Sequence, residues 1–223
     1  MERLSVTECI SFGCNSFKAR PWLFVQVSAF IVLANIIISG IQSLLQVGGA
    51  FVLGPNSDIV VVIAAIVGIG LSFLISMGKT AFYLGAHDSV EGSSIQMLWH
   101  PYPYLKFVGT SLLLGLIVLL GLIVFVVPGI IVGIMFGFSL YLVIEEDLSP
   151  IDAFKKSAKL TKGNWWPLFL LGLALIGINL IGLIALLVGL LVTLPVSGLA
   201  IVHAYRTLSG HAGTNGAKTI TTS

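Results

Sequence analysis

The chain has 223 residues, of which 57% are hydrophobic and only 9% are charged. Charged residues make up about a quarter of soluble domains, so this composition excludes an ordinary soluble protein. The net charge of +2, with no basic patch interleaved with aromatic residues, argues against nucleic acid as a partner.

The distribution of positive charge predicts how the chain crosses a membrane. All lysines and arginines lie in segments that would share one side of a bilayer. The alternate connections, around residues 47–58, 126–130 and 186–192, contain none, and Asp58 is the only charged residue among them. Cationic loops stay in the cytoplasm during insertion. We therefore expect an all-α, multi-pass protein of a prokaryotic inner (cell) membrane, with both termini in the cytoplasm.

The N-terminal segment is predicted to be a cytoplasmic helix. Residues 1–21 contain no apolar run that matches a signal-peptide core. Ser5 and Glu8 form a capping-box pattern, which indicates the start of a helix. Cys9 and Cys14 are not spaced as C-x-x-C, and a reducing cytoplasm disfavours a disulfide. We interpret both cysteines as small packing residues.

Six membrane spans fit the apolar pattern, because a helix needs about 20 residues to cross hydrocarbon. The predicted spans are residues 22–46, residues 59–77 with a continuation toward His87, two spans within 103–144 and two within 165–205. Lys79 would cost about 2.5–3.5 kcal/mol at the middle of a bilayer. We therefore expect Lys79 at the cytoplasmic end of the second span, where its aliphatic stem can reach the interface.

Proline and glycine mark the breaks between the later spans. The sequence predicts a turn at Val127-Pro128-Gly129, because proline cannot continue a helix and glycine frees the backbone. Pro195 is expected to kink the last span or to mark its start. Either of the last two hairpins could instead be a re-entrant pair, although re-entrant backbone must be buried within protein.

An internal repeat appears when the N-terminal part of the chain is shifted by 144 residues. The capping box at Ser5 then coincides with a second one at Ser149, where Pro150 would occupy the first helical position. Three further pairs coincide: Lys18 with Lys162, Trp22 with Trp166 and Asn35 with Asn179. Each even-numbered span also ends with a tyrosine at the inner face, and these tyrosines are Tyr83, Tyr141 and Tyr205.

These matches predict one transmembrane helical domain over residues 1–208. It would contain three helical hairpins, each preceded by a cytoplasmic amphipathic helix that lies in the membrane interface. The repeat units would be residues 5–88, 89–147 and 149–208. Residues 209–223 are small and polar and are predicted to form a disordered cytoplasmic tail.

The segment over residues 149–162 predicts a basic amphipathic helix. Its apolar face would comprise Ile151, Phe154, Ala158 and Thr161. Such a helix lies in the interface with its lysines among anionic headgroups, and each lysine contributes about 1 kcal/mol. The candidate headgroup contacts are Lys155, Lys156, Lys159 and Lys162, followed by the anchoring rings of Trp165 and Trp166. The alternative is a helix that only sets topology and tethers the bundle.

Two amides are the clearest polar residues within the predicted spans. Asn35 and Asn179 each follow a matching tryptophan by 13 residues. A buried amide seeks a hydrogen-bond partner, so one interpretation is that Asn35 and Asn179 lock the bundle together. The alternative is that both amides line a polar pathway, as expected for a small transporter or channel.

No motif predicts catalysis, a cofactor or a metal. Glu145, Glu146 and Asp147 lack the further oxygen ligands of an EF-hand, so we expect them to pair with nearby lysines or to be solvated. The four histidines lack zinc-site spacing, and no nucleophile motif is present. We therefore predict no catalytic residues, no metal ligands and no cofactor.

The last third of the chain resembles a known group of prokaryotic membrane proteins. The pattern runs from VPGI at Val127 through EED and AFKKSAKLTKGNWWPLF to AYRTL. It is similar to the membrane domain associated with glycerophosphoryl diester phosphodiesterases and to the YciC-like family. Ala153, Ser157, Gly163 and Trp166 match the A-x-x-x-S and G-x-x-W signature of those families. The soluble phosphodiesterase barrel sometimes attached to such domains is absent here, so the resemblance implies a membrane domain and not that activity.

These observations favour a non-enzymatic membrane protein that contacts lipid, particularly anionic lipid, or a protein partner, and that could form a homo-oligomer. The second hypothesis is a small transporter or channel with Asn35 and Asn179 near its pathway. A lipid-modifying enzyme is the third.

Overall fold

The computed structural model describes residues 4–53, 58–89, 92, 95–99, 102–185 and 188–210. Within these ranges the regular structure is helical. The helices are α1 (Val6–Ala19), α2 (Pro21–Leu53), α3 (Asp58–Asp88), a 3-10 helix (Ile95–Trp99), α4 (Tyr104–Val124), α5 (Val126–Phe136), α6 (Ser139–Glu146), α7 (Pro150–Thr161), α8 (Trp165–Ile184) and α9 (Val188–Ser209). Ser209 still belongs to α9, and the rest of the predicted tail, from residue 211, lies outside the described residues.

Six helical stretches in the described part of the chain are long and apolar enough to cross a membrane. They are Pro21–Leu45, Val62–Asp88, Tyr104–Ile123, Gly129–Glu146, Trp165–Ile184 and Gly189–Ser209. The prediction of an all-helical, multi-pass membrane protein is therefore confirmed. The grouping into three hairpins, the interfacial helices and the orientation in the membrane stay predictions.

The first predicted connection is shorter than expected. Residues 47–53 belong to α2, and α3 already begins at Asp58. This stretch is apolar and lacks proline, so nothing in it stops the helix. Pro55 disfavours helical backbone in the residue before it, and α2 ends two residues ahead of that proline.

The break between α4 and α5 also differs from the prediction. The chain turns at Phe125, whose backbone is extended with φ −161° and ψ 146°, whereas Val127-Pro128-Gly129 lies in the first turn of α5. The predicted turn was wrong because a helix leaves its first N–H groups unbonded, so proline costs little there. A Cβ on Gly129 would lie 2.7 Å from the backbone nitrogen of Leu122, so this glycine permits the close approach of α4 and α5.

Helix α9 forms the centre of the bundle and packs against α1, α2, α3 and α8. Its side chains Leu199, Val202 and Tyr205 are fully buried. Gly13 of α1 lies so close to this helix that an added Cβ would be 2.5 Å from the carbonyl oxygen of Val196. Pro195 lies inside α9 and does not mark its start.

Both predicted N-caps form. The Ser5 hydroxyl accepts a hydrogen bond from the Glu8 backbone N–H at 3.4 Å, and the Ser149 hydroxyl accepts one from the Asp152 N–H at 3.3 Å. Pro150 occupies the first turn of α7, where its missing N–H costs little. Helices α1 and α7 therefore begin where their sequence signals indicate, while the internal repeat itself stays a prediction.

Candidate functional site

The ends of three membrane-capable helices are joined through one guanidinium group. Arg206 of α9 donates one hydrogen bond to Glu145 at the end of α6 and another to Asp88 at the end of α3, the latter at 2.5 Å. The Arg206 side chain is only 7% exposed. The Tyr205 hydroxyl donates to the other oxygen of Glu145 at 2.5 Å. We call this end of the bundle the charged end.

A histidine pair extends the charged end toward α1. A ring nitrogen of His87 lies 3.2 Å from a ring nitrogen of His203, and the other His87 nitrogen lies 3.3 Å from Asp88. The Phe12 ring stacks on His203 with centroids 4.3 Å apart. These contacts tie α1, α3 and α9 together, and among the described residues no cluster of three or more potential metal ligands forms.

The neighbouring acidic residues Glu145, Glu146 and Asp147 each pair with a different cation. Glu146 pairs with Lys156 at 2.6 Å, and Asp147 pairs with Lys106 at 2.9 Å. Glu145 pairs with Arg206, a residue 61 positions further along the chain. The predicted pairing with a nearby lysine is therefore confirmed for Glu146, whereas Asp147 pairs with the more distant Lys106 and Glu145 with Arg206, two partners that sequence reasoning missed.

Helix α7 is held against the bundle by small and hydroxylated residues. Its buried face contains Ala153, Phe154, Ser157 and Thr161. The Ser157 hydroxyl donates to the carbonyl oxygen of Met135 at 2.8 Å. Ile151, which was expected on the apolar face, is exposed instead. The buried face is thus rotated from the predicted one, because the helix packs on α4, α5 and α6.

The four predicted lysines fall into two groups. Lys156 is half-buried and paired with Glu146. The other three follow one exposed face, which we call the α7 lysine ridge: Lys155, Lys159 and Lys162. Lys155 lies 3.9 Å from Asp152, and the other two have no ion-pair partner in the described part of the chain. Trp165 and Trp166 are exposed directly after the ridge.

A cavity of about 580 Å³ lies between α3, α5, α6, α8 and α9. Lys79 lines this cavity and also an adjoining one of about 250 Å³. Within the described ranges, Lys79 forms no ion pair and no hydrogen bond. It lies nine residues before the end of α3, so it is separated from the charged end by about 14 Å along the helix axis. We call this space the Lys79 cavity.

The two predicted asparagines are not brought together. Asn179 lines the Lys79 cavity, and its amide nitrogen donates to the Ser197 hydroxyl at 3.0 Å, which joins α8 to α9. Asn35 is exposed and bonds the Ile31 carbonyl of its own helix at 2.7 Å. Asn35 therefore satisfies its amide locally, whereas Asn179 makes the interhelical contact.

Comparisons with known proteins place the chain near an uncharacterised group. A family model described as a protein of unknown function (DUF975) matches residues 105–212. The chain is similar to the uncharacterized protein Rv2560 of Mycobacterium tuberculosis and to the uncharacterized protein Mb2590 of Mycobacterium bovis, at 29% identity over 144 residues. That region covers 64% of this chain and 44% of each relative. No solved structure matches the chain.

The chain thus resembles a poorly characterised prokaryotic family. It spans less than half the length of the curated relatives that it matches. None of these matches is to a phosphodiesterase membrane domain or a YciC-like protein, so that finer resemblance stays a prediction. The names of these relatives assign no activity.

Proposed function

We propose that the protein is a non-enzymatic inner-membrane module that contacts anionic lipid through the α7 lysine ridge, with the ridge facing the cytoplasm. The observation that supports this most directly is the fixed orientation of α7. Its opposite face is buried and hydrogen-bonded to Met135, so Lys155, Lys159 and Lys162 are held outward. Three lysines near an anionic surface contribute about 3 kcal/mol, or roughly 150-fold in affinity.

The surroundings of the ridge suit a lipid. Trp165 and Trp166 are exposed beside it, and amphipathic rings settle at headgroup depth. An apolar cavity of about 380 Å³ adjoins both tryptophans and is completed by Ile130, Ile134 and Phe169, among others. A headgroup at the ridge could therefore place part of an acyl chain against an apolar wall.

Replacing all three ridge lysines with glutamine tests this proposal. We expect the affinity of the detergent-solubilised full chain for dioleoylphosphatidylglycerol to fall roughly 150-fold, since about 3 kcal/mol of attraction is removed. Native mass spectrometry of lipid retention gives the measurement, with dioleoylphosphatidylcholine as the neutral comparison. Raised salt should weaken retention by the native chain, because exposed charges are screened.

A charge-balanced variant provides the control. Glu146→Gln combined with Lys156→Gln removes the paired charges beside the ridge without changing the net charge. We expect this double variant to retain phosphatidylglycerol as the native chain does. Equal retention by the ridge variant and the native chain would remove the proposal.

A second candidate function is transport through the Lys79 cavity, favoured by the position of Asn179 in its wall. If a small anion passes there, Asn179→Leu should slow efflux of carboxyfluorescein from proteoliposomes. Asn35→Leu should not, because Asn35 lies outside the cavity wall. Equal efflux from the native chain, from Asn179→Leu and from protein-free vesicles would rule out this route.

A further inference from the structure

Lys79 is a cation inside a membrane-capable helix without a protein counter-charge in the described structure. The carboxylates at the charged end are already engaged: Asp88 and Glu145 pair with Arg206, and Glu146 pairs with Lys156. Lys79 instead faces the cavity between the helices. A cation in a low-dielectric site attracts an anionic ligand far more strongly than the same cation at a wet surface.

The cavity around Lys79 has an apolar wall and a side that reaches the lipid-facing surface. Leu168, Leu171 and Leu175 of α8 are buried and form this wall. Gly172 and Ile176 also line the cavity and are exposed, so the cavity is open beside α8. The cavity therefore opens where acyl chains of the bilayer would lie, and its volume of about 580 Å³ falls within the usual range for ligand sites.

Two polar groups line the space around Lys79. The Asn179 side-chain oxygen is buried in the wall of the Lys79 cavity without a hydrogen bond, so it can accept one from a hydroxyl group of a ligand. The Ser28 hydroxyl lies beside the Tyr83 hydroxyl and lines the adjoining cavity that shares Lys79 and Tyr141. The Ser28 hydroxyl can donate to an anion, as the Lys79 ammonium can.

We propose that the Lys79 cavity binds one anionic amphiphile taken from the bilayer. Its phosphate or carboxylate group lies beside Lys79, within reach of Ser28, and its acyl chain lies along the leucine wall of α8. The site is separate from the α7 lysine ridge, because the ridge faces outward from α7 and contributes no residue to the cavity wall.

Four probes added to the delipidated full chain identify the ligand chemistry: dioleoylphosphatidylglycerol, oleate, dioleoylphosphatidylcholine and inorganic phosphate. Native mass spectrometry should show one tightly held molecule of phosphatidylglycerol or oleate for each chain. Lys79→Met should weaken that molecule's affinity tenfold to a hundredfold, the range for losing one charge-assisted hydrogen bond. Lys79→Arg, which keeps the charge, should hold it nearly as well.

A pair of glycine substitutions on α8 tests the apolar part of the site. A Cβ at Gly172 or at Gly177 would meet no atom within 4 Å, so both positions accept a larger side chain. Only Gly172 lines the cavity. Gly172→Leu should therefore expel the amphiphile, while Gly177→Leu should leave it bound. Leucine also has the better helix propensity, so neither variant should lose stability.

The possible results separate this site from the proposed function. The triple glutamine variant of the ridge should keep the single tightly held molecule even if it loses surface lipid. Unchanged binding in Lys79→Met, or equal effects of the two glycine substitutions, would overturn the proposal. So would equal affinity for phosphatidylcholine, or occupancy by inorganic phosphate alone.

Discussion

Replacing Arg206 with methionine removes the cation that joins Glu145 to Asp88. The Arg206 side chain is 7% exposed and that of Glu145 is 22% exposed, so their pair is largely buried. Losing one partner of a buried ion pair destabilises a protein by about 3–5 kcal/mol. Because Glu145 is partly exposed, we expect the cost for this pair to be at the lower end, about 3 kcal/mol. Asp88 is 40% exposed, so its pair adds about 1 kcal/mol or less. We therefore expect Arg206→Met to lower the free energy of unfolding by about 3–4 kcal/mol.

Reversible unfolding by sodium dodecyl sulfate in mixed micelles, followed by circular dichroism, provides the measurement. The single variants should rank with Arg206→Met the most destabilising, Glu145→Gln next and Asp88→Asn least. A double-mutant cycle for Arg206 and Glu145 should give a coupling of about 1–3 kcal/mol. Lys155→Met, on the exposed ridge, should change stability by less than about 0.5 kcal/mol. A cost below 1 kcal/mol for Arg206→Met, or a coupling near zero, would refute a buried charged junction.

Three further predictions concern α1 and α7. Gly13→Ala should destabilise the protein by about 1–3 kcal/mol, because the added Cβ would lie 2.5 Å from the carbonyl oxygen of Val196 in α9. Gly177→Ala should not destabilise it, because a Cβ at Gly177 would meet no atom within 4 Å. Burial raises the pKa of Cys9 to about 11. In a Cys14→Ser background, alkylation of Cys9 by iodoacetamide at pH 8 should therefore be roughly a hundredfold slower than that of an unperturbed thiol, and should accelerate until the pH approaches 11. Ser157→Ala should cost about 1 kcal/mol by removing the hydrogen bond to α5 and should speed tryptic cleavage within α7; unchanged cleavage would show that this bond does not hold the helix.

The features that could be predicted from the sequence are those with a local cause. The lengths of the apolar stretches alone indicate six spans, since a transmembrane helix needs about 20 predominantly apolar residues. Each cap, at Ser5 and at Ser149, joins a hydroxyl group to a backbone N–H three residues further on. Both caps can therefore be identified from the sequence without knowledge of the fold. The pairing of Glu146 with Lys156, ten residues further along the chain, also follows from nearby opposite charges.

The features that could not be predicted depend on which helices become neighbours. Glu145 and Arg206 are 61 residues apart, and they meet because α6 and α9 both pack against α3. The matching tyrosines at the ends of the even-numbered spans were a signal that these ends converge. Lys79 could be identified as an isolated cation in an apolar stretch, but its cavity exists only because α3 and α8 face each other across a gap.

The fourth membrane-capable stretch is built in two pieces, and this has a mechanical consequence. Between α5 and α6 the helix is interrupted at Gly137 and Phe138, near the carbonyl of Met135 that receives the hydroxyl groups of Ser157 and Thr161. The joint also borders the Lys79 cavity. A displacement of α7 would thus act on Met135, two residues before this interruption, and would move residues that line the Lys79 cavity.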